Sequence, residues 1–269
     1  MTESPVCPKK SREKLTSLVF ESLNAPAFCV AATPVLSFYC SGRTCGLCVE
    51  VGYGVTHSVP IYEGHVMPHG IQTLEVGGST LTGFLAELLK SQEDEIDKPY
   101  YRSTVEEIKE KLGFFAMNYD DQCQAPVSSY EKSFPLPDGQ VITVGKERFQ
   151  CTEGLFNPEK LGLETSGIHE KVLATVNRCD VDHRSQFWPN IVVAGGTTLL
   201  PGFIERMRKE MIATGPASMR INVVSMAERG IAAWIGGSIM GCLSTFPKQW
   251  ISKEEYDENG AYIVNRRCF

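Results

Sequence analysis

Residues 41–64, SGRTCGLCVEVGYGVTHSVPIYEG, constrain the fold more than any other stretch of the chain. Two apolar runs rich in β-branched residues, 47–51 and 55–61, are joined through Gly52-Tyr53-Gly54. Runs of this composition on either side of Gly-x-Gly predict a two-stranded hairpin. Glycine has no Cβ, so backbone N–H groups beside it can come close to an anion, and such a turn can cradle a phosphate. A tight turn with no ligand uses the same three residues. The rest of the chain has to separate the two readings.

With 269 residues the chain is long enough to bury a sizeable core, as one large domain or two smaller ones. Its net charge is −6 and it has no basic block, so nucleic acid is not an expected partner. The opening MTESPVCPKK is polar and carries no secretory apolar region. The most apolar stretches, 25–40 and 231–243, are too short or too broken to span a bilayer, so no membrane association is expected. A cytoplasmic protein with reduced thiols follows as the expectation, and the ten cysteines do not read as a disulfide framework. Cys45 and Cys48 have CxxC spacing, but no second Cys or His pair lies nearby. In a strand, residues three apart also face opposite sides. The five histidines show no metal-ligand spacing, and no metal site is expected.

Leu15, Leu18, Val19 and Leu23 repeat at helical spacing and predict a helix over 11–23, with Ser11 capping its first turn. A buried strand over 28–32 and a proline-initiated helix over 34–39 follow. Beyond the hairpin, 60–75 reads as irregular or extended chain and Gly77-Gly78 as a break. Leu81, Phe84, Leu85, Leu88 and Leu89 give one face of an amphipathic helix. The polar, acidic stretch 91–101 reads as a surface loop. Ser103-x-x-Glu106 is a capping-box pattern opening a helix with Val105, Ile108 and Leu112 on one face and Lys109, Glu110 and Lys111 on its polar side. Residues 119–133 look like loop, and Pro137-Asp138-Gly139 reads as a turn between strands near 134–136 and 141–144.

A helix is expected over 168–177. At 191–194 a strand runs into Gly195-Gly196-Thr197-Thr198, then Pro201-Gly202 and a helix with Ile204, Met207 and Met211. Strand, glycine turn and helix in that order can present helix N-terminal N–H groups to an anion. A strand at 222–224 and an apolar helix at 234–243 follow, and Gly236-Gly237 in that helix predicts close packing on a neighbour. Ser252-x-x-Glu255 fits a capping box for a short terminal helix. Strands and helices interleave, so the fold class is α/β.

The residues in this order resemble actin and the actin-related proteins. GVTHSVPIYEGHVMPHGI follows the actin pattern nearly residue for residue. So do IKEKL at 108–112, LPDGQVIT at 136–143, GIHE at 167–170, CDVD at 179–182 and GGTT at 195–198. WIGGSI at 234–239, LSTF at 243–246, WISK at 250–253 and RRCF at 266–269 match as well. The resemblance implies the C-terminal majority of the actin (ribonuclease H-like) fold. On that reading the chain lacks the first phosphate hairpin and the second subdomain. Residues 1–40 and 232–269 would be a remnant of the first subdomain, 41–76 and 164–231 the third, and 77–163 the fourth. Leu15, Leu18, Val19 and Leu23 are then expected to be partly uncovered and the first-subdomain remnant to be loose.

The resemblance also implies a degenerate ATP site at Gly52, Gly54, Val55, Lys109, Glu110, Gly196 and Thr197. Tyr53 stands where the family has an acidic residue. Glu50 stands for the shorter metal-organising aspartate, and Thr33 for the glutamine that positions the attacking water. Leu200 and Gly230 replace a tyrosine and a lysine on the adenine side. Phosphoryl transfer depends on positioned charge and metal, so no ATP hydrolysis and no bound cofactor are expected, although ATP binding stays open as a second reading.

A groove for helical segments of partner proteins is implied at Tyr39, Cys40, Gly42, Thr44, Ile235, Ile239, Leu243 and Thr245. Several of these apolar residues would equally serve as core. Ordinary filament growth is not expected. The resulting expectation is a non-catalytic actin-like protein acting through protein contacts in the cytoskeleton. The alternatives are an ATP-binding relative that completes its cleft with a partner, or a dispensable actin-derived fragment.

Overall fold

The computed structural model describes residues 1–90, 101–137 and 139–268. The loop expected over 91–101 lies outside them, apart from Tyr101, which already opens a helix. The chain begins with β1 (Thr2–Glu3) and α1 (Lys9–Ser17). The helix does not continue unbroken to Leu23. Over Leu18–Ser22 it widens into a π-helical turn, in which the Leu23 amide donates five residues back to the Leu18 carbonyl at 3.2 Å. The wider turn rotates the expected apolar stripe. Val19 and Phe20 are buried, Leu15 is half-buried against them, and Leu18 and Leu23 face solvent.

The single strand expected over 28–32 is two short ones, β2 (Ala27–Phe28) and β3 (Ala31–Ala32). They serve different partners. β3 runs parallel to β1, and β2 pairs with a strand from the far end of the chain. α2 (Thr33–Cys40) places Pro34 in its first turn, where no N–H is needed.

β4 (Gly46–Val51) and β5 (Thr56–Tyr62) form the expected antiparallel hairpin, with Glu50 opposite His57 and Val51 opposite Thr56. The next segment is more regular than its sequence suggests. It adds β6 (His65–Val66) and β7 (Gln72–Leu74), both antiparallel to β5. α3 (Gly78–Lys90) and α4 (Tyr101–Leu112) follow, and Ser103 lies inside α4 rather than at its cap. Residues 119–133 are not a loop. They hold α5 (Tyr119–Gln124), one turn at Val127–Ser129 and the start of β8 (Lys132–Pro135), which pairs with β9 (Val141–Val144). α6 (Glu147–Glu153) has no counterpart in the sequence pattern, because half of its buried residues are charged. Arg148 donates to the Leu112 and Tyr130 carbonyls, and Glu153 pairs with Arg206.

α7 (Ile168–Arg178) starts where expected, with the Gly167 amide donating to the Glu170 carboxylate at 3.0 Å. α8 (Val181–Phe187) leads into β10 (Ile191–Ala194), which pairs in parallel with β4 and, on its other side, with a later strand. α9 (Phe203–Thr214) connects β10 to that strand, β11 (Val223–Ser225). Among the described residues the main sheet therefore runs β11-β10-β4-β5-β6, with β7 also on β5. Its central strands are apolar on both faces, as strands covered on both sides must be. Leu47, Val49, Ile191 and Val193 meet Val172, Val176, Met207 and Met211 from α7 and α9. Cys48, Val59 and Val192 meet Val35 and Phe38 from α2.

α10 (Ala232–Cys242) packs along α2. A Cβ at Gly236 would come within 1.8 Å of the Leu36 carbonyl oxygen, whereas one at Gly237 would meet only Leu36 Cδ1, at 3.8 Å. Only the first glycine of the pair is required by the packing. β12 (Ile251–Ser252) is the strand that pairs with β2. The expected capping box opens α11 (Lys253–Asn259). The Glu255 amide donates to Ser252 Oγ and the Ser252 amide to the Glu255 carboxylate, both at 3.2 Å. α12 (Val264–Arg267) closes the described chain. The two ends share a core in which Phe20 stacks on Tyr256 at 4.6 Å beside Phe28, Ile251 and Val264. Among the described residues no helix is long and apolar enough to cross a membrane.

Candidate functional site

The turn between β4 and β5 is held from three sides. The Gly52 amide donates to the Val55 carbonyl at 3.1 Å, closing the turn. The Gly52 carbonyl accepts the Gly78 amide at 3.0 Å and the Thr197 hydroxyl at 3.1 Å. The Tyr53 carbonyl accepts the Ser79 amide at 2.6 Å. The turn is thus locked to the first residues of α3 and to the glycine turn after β10. That second turn needs its glycine: Gly195 has φ +99°, and a Cβ there would lie 2.2 Å from the Val51 carbonyl oxygen.

Lys109 departs from its expected place on a polar helix face. It is buried, and its Nζ donates to the Gly78 carbonyl at 2.9 Å and to Thr82 Oγ1 at 2.8 Å. α4 carries it there because Lys109 follows Ile108 and shares the buried side of the helix with Val105. Glu110 is exposed, as expected. These elements surround a cavity of about 420 Å³ lined by Lys109, Glu110, Gly196 and Thr197, together with Glu106 and Tyr53. Four of the seven predicted site residues are brought together there. The other three, Gly52, Gly54 and Val55, build the turn beside the cavity without lining it. Tyr53, read as a substitution at the turn, supplies the lining instead. Leu199 and Leu200 form the apolar wall, and Gly230 backs Leu199, with a Cβ there falling 2.9 Å from Leu199 Cδ1.

Among the described residues that line this cavity, the charged ones are two carboxylates and one ammonium already bonded to neutral oxygens. A triphosphate would find a net negative wall, which is repulsive in a partly desolvated cleft. Nor does the neighbouring carboxyl fit a metal-organising role. Glu50 is half-buried at the end of β4, and burial raises its pKa above the ordinary carboxylate value, opposed by a hydrogen bond from Thr33. The Thr33 hydroxyl donates to Glu50 Oε2 at 2.7 Å. This contact was not readable from either residue alone. On the far strand His57 lies opposite Glu50, with Nδ1 3.2 Å from Thr73 Oγ1 and Nε2 3.4 Å from Ser4 Oγ. Burial lowers the His57 pKa. Among the described residues no group of three or more His, Cys, Asp or Glu side chains is arranged to hold a metal ion. The cavity, at about 420 Å³, has room for a nucleoside-sized group.

The predicted groove residues fall on two packed helices and the chain just beyond each. Tyr39 lies in the last turn of α2, and Gly42 and Thr44 in the loop after it. Gly42 has φ +69°, and the Thr44 carbonyl accepts the Gly64 amide at 2.9 Å. Ile235 and Ile239 lie on α10, with Leu243 and Thr245 just beyond it. Ile235 is half-buried, Ile239 and Leu243 are 42% and 46% exposed, and the neighbouring Trp234 is 73% exposed. The core alternative accounts for Ile235 but not for these three.

Parallel β10 and β4 ending in glycine turns, and a helix lysine closing over them, define a mixed α/β protein with a cleft at the ends of those strands. The family model for actin matches residues 1–269. The chain belongs to the actin family.

Proposed function

We propose that this actin-family chain is non-catalytic and acts in the cytoskeleton through protein contacts made by the α10 face. The observation that carries the first half is the Thr33–Glu50 hydrogen bond, which turns the carboxyl at the end of β4 toward a neighbouring hydroxyl. The lining charges support it, since Glu106 and Glu110 outnumber a Lys109 whose Nζ bonds to Gly78 and Thr82. The second half rests on Ile239, exposed one turn after Ile235 on a helix that already packs on α2, and on Leu243, exposed just beyond that helix. Such a face suits the apolar side of an amphipathic partner helix.

The test is binding of an amphipathic helical peptide with Leu or Ile at positions i, i+4 and i+7 to the full chain, followed by fluorescence anisotropy. Ile239→Asp is expected to weaken binding at least tenfold, with thermal stability within about 0.5 kcal/mol of wild type because the residue is largely exposed. Equal binding by wild type and Ile239→Asp contradicts the reading.

One observation favours a second reading, a nucleotide-binding protein that completes its cleft with a partner. The cavity of about 420 Å³ keeps Lys109, Gly196 and Thr197 together beside an apolar wall. Titration with ATP in the presence and absence of magnesium separates it from the first: saturable micromolar binding belongs to the second reading alone.

A further inference from the structure

A cavity of about 330 Å³, apart from the cleft at the glycine turns, opens where α2, α10 and the end of the described chain meet. Its deeper lining is apolar. Val30 and Val35 are buried there, with Tyr39 and Met240 half-buried beside them. Tyr39 reaches this place because Gly64 has no side chain: a Cβ at Gly64 would fall 2.8 Å from the phenol oxygen.

The charged lining has one sign. Lys248, Arg266 and Arg267 are exposed along it, and among the described residues no Asp or Glu lines the cavity. That is a local reversal in a chain whose net charge is −6. Arg267 is already engaged, in an ion pair with Glu255 and as a donor to the Lys248 carbonyl at 3.3 Å. The second of these bonds fixes the Lys248 backbone against α12. Lys248 and Arg266 remain without a carboxylate partner among the described residues, the Arg266 guanidinium lying over the Tyr262 ring at 5.7 Å. Two cations left uncompensated beside an apolar recess favour an anion with a hydrocarbon body. The planar guanidinium matches a carboxylate with two parallel hydrogen bonds. Burial of the hydrocarbon adds the hydrophobic contribution. The volume lies at the low end of the roughly 300–1,000 Å³ of ligand pockets, which selects a small occupant with one head group.

We propose that this cavity is a binding site for a small aliphatic carboxylate. The hydrocarbon chain lies against Val30, Val35 and Met240, and the carboxylate is held by Lys248 and Arg266. The site is distinct from the cleft at Lys109 and does not depend on a partner helix at Ile239 and Leu243.

The test is isothermal titration of the full chain with sodium decanoate, kept below its micelle concentration at pH 7.5. Saturable binding at one site is expected, weakening as salt is raised because the cations are exposed. The double variant Lys248→Gln, Arg266→Gln is expected to bind roughly tenfold or more weakly, the loss of charge-assisted hydrogen bonds. Lys10→Gln, which removes one exposed positive charge outside the cavity, is expected to bind as wild type does. Acetate, without the chain, and 1-decanol, without the charge, are each expected to bind roughly tenfold or more weakly than decanoate. Equal affinity for decanoate and decanol overturns the proposal, as does equal binding by wild type and the double variant. So does an acidic amphipathic peptide that binds wild type but not the double variant while decanoate binds neither, since the cations would then serve a protein partner.

Discussion

The Thr33 hydroxyl donates to a Glu50 carboxylate oxygen at 2.7 Å, joining the first turn of α2 to the end of β4. By resemblance these two positions hold the groups that position water and organise metal in the family. Here their polar atoms satisfy one another, and each substitution makes sense of the other. A longer carboxyl reaches a shorter alcohol across the same gap.

Glu50 has its pKa raised by burial, with the Thr33 bond opposing. A carboxyl raised in the folded state favours folding below its unfolded value and loses that contribution as pH rises through its folded value. Glu50→Gln, which keeps an acceptor for Thr33, is therefore expected to stabilise the chain at pH 7 and to be close to neutral at pH 4. Thr33→Val removes the donor and is expected to cost about 1 kcal/mol at pH 7. Urea denaturation at both pH values checks the pair, and a Glu50→Gln effect equal at the two contradicts the sign argued here.

Gly236→Ala places a methyl 1.8 Å from the Leu36 carbonyl oxygen and must push α10 away from α2. The expected loss is about 1–3 kcal/mol. Gly237→Ala meets only Leu36 Cδ1 at 3.8 Å and replaces glycine in a helix interior, where alanine is favoured by up to about 1 kcal/mol. Thermal melts of the two variants are expected to move in opposite directions.

Arg206 links three segments. It donates to both oxygens of Glu153 at 3.0 Å, to Glu210 at 2.6 Å and to the Ala116 carbonyl at 2.8 Å, largely out of solvent. Burial raises the Glu153 pKa, with the Arg206 bonds opposing. Arg206→Met leaves that carboxylate unpaired and is expected to cost about 3–5 kcal/mol, whereas adding Glu153→Leu to it recovers much of the loss. Urea midpoints of the single and double variants read the difference.

Much of what depends on local pattern was legible in the sequence, although the Ser103 capping box was not realised. The β4–β5 hairpin follows from β-branched runs around Gly52 and Gly54, and the α11 capping box from Ser252 and Glu255. Features set by tertiary partners were not legible. Lys109 looks like a surface residue until the Gly78 carbonyl and Thr82 hydroxyl come to meet it. α6 hides its burial behind charges that Leu112, Tyr130, Gly145 and Arg206 come to satisfy. The π-helical turn at Leu18 shifts burial from Leu23 to Phe20, a change of register that helical spacing alone does not reveal. In the cleft, spacing and resemblance placed Lys109, Glu110, Gly196 and Thr197 together. They did not show that Tyr53 lines the cavity or that Thr33 reaches Glu50.

Phosphate release from Mg-ATP by the full chain tests the central claim most directly. Release indistinguishable from the protein-free blank is expected, because the carboxyl at β4 is engaged by Thr33 and the cavity wall is net negative. A Cβ at Gly196 would meet nothing within 4 Å, so Gly196→Val serves as a folded control that fills the cleft. Turnover above blank in the wild type that disappears in Gly196→Val would contradict the account.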